Sequence, residues 1–289
     1  MLPAYTARLA RRISTSPIHM LLRRALQSTA AASVVAAYSL QQYAEYTSAV
    51  DSSAQAERHL PLSAEAQPTQ VVRIPGLLSA SEVEAIHELH AELKPQLGSA
   101  GRTGGNQAAA YRNGKWETSY LSTDGLFAKH MPELRAKLME TARRVDEENW
   151  GLMRRAESPV VPRCVEYHTV EPGGSLPYPT HYDAGSLVTI DVMLSNSDEY
   201  AGGTFGTLEC DGSMKHYPFE KGDALVFVSH KFHCVSELTR GRRNVLVMEL
   251  WEGVERECAH RCERHTGPCG HTARASFWRR ALSDLASDL

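Results

Sequence analysis

The feature that most constrains this chain is a change of sequence texture at Gly151. Before it, two stretches have helical spacing of apolar residues; after it, short runs rich in β-branched and aromatic residues follow one another. Glycine and proline separate these runs, as is typical of the turns in a β-sandwich or barrel. The predicted strands are 163–170, 187–194, 204–209, 216–219, 224–228 and 244–250. We therefore expect an α+β domain in which helices pack against an all-β sandwich or barrel.

Two helices are predicted ahead of these strands. Ser79 followed by Glu82 forms a capping box before a helix that ends near Leu93. Pro132 suits the first turn of a second helix, which ends near Trp150. Short extended segments are predicted at 71–74 and 116–121. The glycine-rich stretch between helix and strand, 98–114, is predicted to be a mobile loop and a candidate substrate lid.

The first fifty residues have the composition of a targeting segment. Residues 1–44 contain five arginines and neither aspartate nor glutamate, which is typical of an organellar transit peptide. We expect mitochondrial targeting; a disordered basic tail is the plain alternative. A third interpretation uses 25–40 as a weak signal anchor, with membrane association in the endoplasmic reticulum. The predicted organisation is a presequence or anchor at 1–50, a polar linker at 51–70, the main domain at 71–253 and a Cys/His-rich tail with a terminal helix at 254–289.

The charge balance argues against nucleic acid as a partner. The chain has 31 basic and 34 acidic residues, for a formal charge of −3. Because five of the arginines lie in the first 44 residues, the remainder has 26 basic residues against 34 acidic ones. Such an acidic body lacks the basic surface that nucleic-acid binding requires.

A metal site is predicted at His181-Tyr182-Asp183. In an extended strand the side chains of His181 and Asp183 point to the same side, so one imidazole and one carboxylate can bind a single ion. A second imidazole from a neighbouring strand would complete a set of two histidines and one carboxylate, which leaves three positions of an octahedron open. The alternative for Asp183 is to cap a turn before Gly185.

The second imidazole is expected downstream. The turn at Gly222 leads into an apolar strand that ends near His230 and His233, and a basic pair follows at Arg242 and Arg243. His230 and His233 are both candidates for this ligand. Arg242 and Arg243 point to opposite faces of a strand, so one of them alone can enter a pocket and grip a carboxylate; Arg243 is favoured.

At this point the sequence resembles the 2-oxoglutarate- and Fe(II)-dependent dioxygenases, in particular their prolyl 4-hydroxylase-like and lysyl hydroxylase-like branch. The resemblance covers about 163–251. The matching elements are His181-x-Asp183, the strand 189–194, Gly202-Gly203, Gly222-Asp223-Ala224-Leu225 and His233-x-Val235 through Gly241-x-Arg243.

The resemblance implies a fold and a set of roles. The fold is a double-stranded β-helix, a jelly-roll barrel supported by N-terminal helices. His181, Asp183 and His233 are the implied iron ligands, and Arg243 the implied partner of the distal carboxylate of 2-oxoglutarate. Thr189 also faces the co-substrate. Tyr167 is the implied hydrogen-bond partner of the co-substrate; since it lies fourteen residues before His181, Tyr178 is the alternative, and the neighbouring His168 is interpreted as structural.

The resemblance also implies the reaction and the partners. Fe(II) and O2 act on 2-oxoglutarate to release succinate and CO2, with hydroxylation of an unactivated C–H bond; ascorbate is a further cofactor of such enzymes. A prolyl or lysyl side chain of a peptide or protein is the expected substrate. The rival interpretation is a catalytically silent barrel that binds metal or metabolite as a sensor or scaffold.

The tail is predicted to be a separate feature. Cys258, Cys262 and Cys269 alternate with three histidines between 258 and 271, and this set offers enough nitrogen and sulfur ligands for zinc. Structural zinc, a disulfide among these cysteines and free thiols all remain open, because the redox compartment would decide between them. Beyond the tail, apolar residues between Phe277 and Leu289 recur at helical spacing. That helix is expected to pack on the barrel, with a dimer contact as the alternative.

Overall fold

The computed structural model describes residues 64–95, 115–265 and Cys269. These residues belong to one compact unit, Val50–Thr272. The predicted targeting segment, the lid loop and the terminal helix lie outside the described residues. No helix within the described part of the chain has the length and apolar character needed to cross a membrane.

The described residues contain twelve strands and three complete α-helices, and residues 64–66 are also helical. The helices are α1 Ala80–Leu93, α2 Leu126–His130 and α3 Pro132–Asn149, with short 3-10 turns at Thr123–Gly125 and Met153–Arg155. The strands are β1 Val72–Ile74, β2 Trp116–Tyr120, β3 Val160–Val170, β4 Leu176–His181, β5 Val188–Met193, β6 Tyr200–Gly202, β7 Phe205–Leu208, β8 Met214–His216, β9 Ala224–Val228, β10 His233–Val235, β11 Leu238–Gly241 and β12 Arg243–Glu252.

All the strand pairs are antiparallel. A six-stranded sheet has the order β1-β9-β5-β12-β3-β2, a four-stranded sheet has the order β4-β10-β7-β8, and β6 pairs with β11. Side chains of the two larger sheets pack together: Leu225 and Phe227 of β9 share one apolar cluster with Phe205 of β7 and Val235 of β10. The two sheets therefore form a sandwich.

Helices cover the other face of the six-stranded sheet. Ile86 of α1 and Leu138 of α3 join Ile190 of β5 and Met248 of β12 in a second apolar cluster, and all four are fully buried. Each such side chain contributes roughly 1.5–3 kcal/mol by leaving water. The predicted α+β class is confirmed, and the structure adds that the sheets are antiparallel.

The ends of the helices follow local sequence signals. The amide of Glu82 donates to Ser79 Oγ at 3.2 Å, and the amide of Ser79 donates to Glu82 Oε2 at 2.8 Å, so the predicted capping box is present. Pro132 is at the start of α3, as expected.

The last residues of the predicted linker belong to the fold. Ala66 is fully buried in the helix-side cluster. The side chain of Gln67 donates to His230 O at 2.8 Å and accepts from the amide of Phe232 at 3.0 Å. Although the composition of 51–70 is polar, its last residues therefore connect the turn before β10 to the rest of the domain.

Candidate metal centre

Two neighbouring strands bring the three predicted metal ligands together. His181 is the last residue of β4, and it pairs across the sheet with His233, the first residue of β10. Asp183 lies in the turn that follows β4, where its amide donates to Ser229 O at 2.8 Å. One ligand atom from each of the three side chains lies within 4.8 Å of the others.

The carboxylate of Asp183 is directed at both imidazoles. Its Oδ1 lies 3.4 Å from His181 Nε2 and 3.9 Å from His233 Nε2. The two rings are nearly perpendicular, at 87°, with centroids 4.9 Å apart. His230 is not part of this group; its ring packs against Tyr182, with centroids 5.2 Å apart. The structure thus brings together the favoured residues, and Asp183 does not serve as a cap for the turn.

Neighbouring groups hold the ligands in the orientation that a metal needs. Thr189 Oγ1 donates to Asp183 Oδ2 at 2.8 Å, and the hydroxyl of Ser229 lies 2.8 Å from Thr189 Oγ1. Because Oδ2 is engaged, Oδ1 is left to bind an ion. His233 Nδ1 lies 2.9 Å from Lys231 O. Since a carbonyl can accept but not donate, Nδ1 carries the proton and the lone pair of Nε2 points toward Asp183.

The electrostatics of the site favour the ligand forms of these side chains. Burial alone would raise the pKa of Asp183, but the nearby His233 and the hydrogen bond and charge of His181 outweigh it and hold the pKa far below its usual range. Burial lowers the pKa of His233, and the neighbouring His181 lowers it further against the opposing effect of Asp183. An ionised carboxylate and a neutral imidazole are the forms that bind a metal ion.

These residues fit a divalent iron ion. Two imidazole nitrogens and one carboxylate oxygen are the ligand types of the facial set that leaves three positions free for other ligands. The ring of His233 lies against Phe205 and Phe227, with centroids 5.6 and 5.0 Å away. The side chain of His181 is 28% exposed. The centre is therefore closed by aromatic rings on one side and accessible on the other.

Arg243 is buried between the two sheets. It is the first residue of β12, 2% exposed, and its guanidinium carbon lies 5.9 Å from the centre of the Phe219 ring. Gly203, with a φ of +64°, leaves room for this side chain, because a Cβ there would come within 2.8 Å of Arg243 Cδ. Arg242 instead is exposed and lies 3.4 Å from Glu171. The structure therefore directs Arg243 inward, as expected.

Two buried polar atoms, one on Arg243 and one on Asp191, lack hydrogen-bond partners among the described residues. They are Arg243 Nε and Asp191 Oδ1, and Asp191 lies on β5 two residues after Thr189. Burial lowers the pKa of Arg243, although Tyr200 and Asp191 partly oppose this. Burial also raises the pKa of Asp191, and the negative charge of Asp183 adds to that effect. A buried donor and a buried carboxyl oxygen without partners are what a pocket for a small carboxylic acid would supply.

The structure corrects the assignment of Tyr167. On β3, Tyr167 pairs with Leu246 and lies in the helix-side cluster, on the face of the sheet opposite to the sandwich interior. Its hydroxyl is 2.7 Å from His87 Nδ1, and its ring stacks on His90 with centroids 3.8 Å apart. Tyr167 is therefore packed under helix α1 and does not reach the metal ligands.

His168, the neighbour of Tyr167 on β3, points to the opposite face of the strand, as expected. His168 pairs with Val245, which lies between the sheets, so His168 points inward. There the indole of Trp116 donates to His168 Nδ1 at 2.8 Å, and His168 Nε2 lies 3.0 Å from Glu166. Tyr178 is 58% exposed on β4.

Sequence reasoning missed Asp191, Ser229 and Arg261, whose Nη2 donates to Ala184 O, next to Asp183, at 2.7 Å. Asp191 carried a usable signal, since it lies two residues after Thr189 and must share its face of β5. Ser229 and Arg261 carried none, because their contacts join segments that are far apart in sequence.

The similarity of this chain to known proteins lies in its structure. No protein-family model and no curated protein match the sequence. The structure is similar to a prolyl-4-hydroxylase from Pseudomonas putida, with 14% identity, a TM-score of 0.49, and coverage of 64% of this chain and 94% of that chain. It is similar to a prolyl hydroxylase from Trichoplax adhaerens in complex with a hypoxia inducible factor peptide, with 15% identity, a TM-score of 0.48, and coverage of 72% and 91%.

A third similar structure is an oxidoreductase of the 2OG-Fe(II) oxygenase family from Burkholderia pseudomallei. It has 12% identity to this chain, a TM-score of 0.46, and coverage of 68% of this chain and 88% of that chain. Fewer than one aligned residue in six is identical in any of the three. At this identity the similarity does not assign roles to residues, so the chemistry of the site rests on the side chains of this chain.

Proposed function

We propose that this protein is an Fe(II)- and 2-oxoglutarate-dependent dioxygenase on a double-stranded β-helix, the jelly-roll form of the sandwich described above. The observation that carries the proposal is the convergence of His181, Asp183 and His233 from two separate segments. The buried Arg243, with an unpartnered Nε between the same two sheets, adds the group that a dicarboxylate co-substrate needs.

In this proposal His181, Asp183 and His233 hold the iron, and Arg243 binds the distal carboxylate of 2-oxoglutarate by charge-assisted hydrogen bonds. When bound, iron with O2 supplies the oxidation of 2-oxoglutarate to succinate and CO2 and the hydroxylation of an unactivated C–H bond. Thr189 keeps one oxygen of Asp183 occupied and the other free.

Aromatic packing and Asp191 define the co-substrate side of the site. Phe205 and Phe227 exclude water from the inner side of His233. The raised pKa of Asp191 favours its protonated form, which donates a hydrogen bond to a carboxylate instead of repelling it. The raised pKa of Asp191 therefore reduces its repulsion of an anionic co-substrate bound by Arg243.

We further propose that the substrate is a prolyl or lysyl side chain of a peptide or protein. Two aromatic side chains close to His181 in the sequence are exposed: Tyr178 on β4 is 58% exposed, and Tyr182, which directly follows His181, is 38% exposed. Aromatic side chains of this kind are enriched where proteins bind peptides and other proteins. The ring of Tyr182 is supported by Phe232, with centroids 6.0 Å apart. These tyrosines would contact the peptide around the reacting residue.

The proposal is tested by succinate release. The purified full chain is incubated with Fe(II), ascorbate, 2-oxoglutarate and O2, and succinate is measured; we expect slow formation that requires both iron and oxygen. Candidate peptides are then screened by mass spectrometry for the gain of one oxygen atom. The variant His233→Ala should abolish succinate release, whereas the exposed His216→Ala should leave it unchanged. Binding of iron and 2-oxoglutarate without succinate under any condition would favour the silent sensor or scaffold instead.

We also propose that residues 1–50 direct the protein to mitochondria, with membrane anchoring in the endoplasmic reticulum as the alternative. The basis is the arginine-rich, acid-free composition of that segment. Fusion of residues 1–50 to a fluorescent protein, followed by microscopy with organelle markers, separates the two locations. A diffuse signal throughout the cell would contradict both.

A further inference from the structure

A second group of metal-ligating side chains lies at the end of the described chain. One ligand atom each from Cys258, His260, Cys262 and Cys269 lies within 4.8 Å of the other three. The three cysteines are 3%, 1% and 7% exposed. They form an apolar cluster of their own, apart from the two clusters of the sandwich and its helix layer. None of these residues belongs to the proposed iron centre.

We propose that Cys258, His260, Cys262 and Cys269 form a tetrahedral structural zinc site. Zinc in structural sites takes four cysteine or histidine ligands, and three cysteines with one histidine is one of the recurring sets. With Zn–N and Zn–S bonds of ordinary length, a tetrahedral ion places a nitrogen and a sulfur ligand about 3.5 Å apart. His260 Nε2 and Cys269 Sγ lie 3.5 Å apart in this structure.

The arrangement fits zinc better than a disulfide. None of the six cysteines, all of which the structure describes, is joined to another in a disulfide. A disulfide between any two of the three tail cysteines would not explain why the third thiol and the imidazole of His260 lie in the same cluster. One zinc ion engages all four groups at once.

The segment that carries these ligands lacks the secondary structure that would stabilise it without a cross-link. Residues 254–265 contain neither helix nor strand, and the apolar contacts at their centre are those of the cysteines themselves. A segment of this kind buries too little apolar surface to offset the entropy of ordering it. Metal binding supplies that free energy in small Cys/His-rich segments.

The zinc site would anchor the tail against the metal-binding end of the sandwich. Arg163 Nε on β3 donates to Cys262 O at 2.5 Å. Arg261, which lies between two of the ligands, donates from Nε to Glu249 Oε1 on β12 at 2.5 Å and from Nη2 to Ala184 O at 2.7 Å. Ala184 directly follows Asp183, so the tail supports the turn that carries the carboxylate of the proposed iron centre.

The experiment measures zinc in the purified full chain by elemental analysis. The background is the variant Asp183→Ala, so that the first group of ligands does not contribute metal. We expect one zinc ion per chain, loss of that zinc in Cys262→Ser, and retention in the matched control Cys210→Ser, whose cysteine is exposed. The variant His260→Cys keeps four ligands and should also retain zinc.

A second measurement covers the case in which Cys262→Ser does not fold. Cobalt(II) is exchanged into the Asp183→Ala protein, and its absorption spectrum should show the visible bands of a tetrahedral ion and thiolate charge transfer. The proposal is overturned if zinc is absent from folded protein, if Cys262→Ser retains it, if the cobalt spectrum lacks thiolate bands, or if mass spectrometry finds a disulfide among the three cysteines. Because succinate release is not a readout here, the outcome is independent of the proposed dioxygenase activity.

Discussion

The two groups of metal-ligating side chains differ in their chemistry and in their exposure. The first, His181, Asp183 and His233, offers two nitrogens and one oxygen, and its His181 side chain is 28% exposed. The second, in the tail, offers three sulfurs and one nitrogen, with its cysteines buried. Three ligands leave positions for reactants, whereas four tetrahedral ligands close the coordination of the metal. The number of ligands therefore suits the first group to a reactive metal and the second to a structural one.

The backbones that support the two groups also differ. Two members of the first group lie on paired strands, with His181 and His233 opposite each other in the four-stranded sheet, and Asp183 lies in the turn after β4. The second lies on a segment without helix or strand. We therefore expect the sandwich to stay folded without iron, whereas the order of the tail depends on its metal.

The largest effect is expected from Asp183→Ala, which separates the two groups most directly. Loss of the carboxylate should remove iron binding and reduce succinate release to background, while the tail keeps its zinc. Iron and zinc contents are measured together with succinate formation. The matched control is Asp211→Ala, in an exposed turn where the carboxylate accepts from Ser213. Equal loss of both metals would contradict the separation of the two groups.

The next largest effect is expected from Arg243→Met. Removal of one member of a buried charge pair costs about 2–5 kcal/mol, which corresponds to a rise of roughly 30- to 4,000-fold in the KM for 2-oxoglutarate. Arg242→Met is the control, because Arg242 is exposed and contacts Glu171 at 3.4 Å. Steady-state kinetics with both variants check this. A larger effect of Arg242→Met would show that the inward arginine does not bind the co-substrate.

A smaller effect is expected from Thr189→Val. The substitution removes the donor to Asp183 Oδ2 but keeps the volume of the side chain. Loss of a group that orients a metal ligand lowers metal affinity by about 10- to 100-fold. Iron titration followed by activity measures it, with the exposed Thr239→Val as control. Unchanged affinity would mean that Thr189 has no role in holding the carboxylate.

The smallest effect on catalysis is expected from Tyr167→Phe. Because Tyr167 lies on the helix side of β3, the KM for 2-oxoglutarate should not change measurably. Loss of the hydrogen bond between the hydroxyl and His87 Nδ1 should lower the free energy of unfolding by about 1 kcal/mol. Kinetics and urea unfolding of the same variant distinguish the two. A strongly raised KM with unchanged stability would restore Tyr167 to the co-substrate pocket.

Long apolar strands and well-capped helices were predictable from local sequence. The predicted 224–228 coincides with β9 Ala224–Val228, and Ser79 and Pro132 mark the starts of the two long helices. The strands that were missed are short or polar: β6, β10 and β11 have three or four residues, and β4 Leu176–His181 contains two prolines and is largely exposed. Such strands form because a partner strand pairs with them, which local composition does not reveal.

Some residues of the site were also predictable from the sequence, and others were not. Residue type and spacing pointed to His181, Asp183, His233 and Arg243, and the structure brings the first three together and buries the fourth. The assignment of Tyr167 to the co-substrate pocket was wrong because most of β3 is buried on both faces. Without alternation between apolar and polar residues, the sequence does not show which face of a strand points inward.

Local sequence was enough to predict the kinds of ligand in each group, the alternation of short strands and turns, and the ends of the helices, because these depend on neighbours along the chain. The folded structure was needed to show that His181 and His233 face each other across two strands, that Tyr167 packs under α1, and that His260 joins three cysteines in the tail. Strand register and long-range packing set those contacts, and both depend on segments that are distant in sequence.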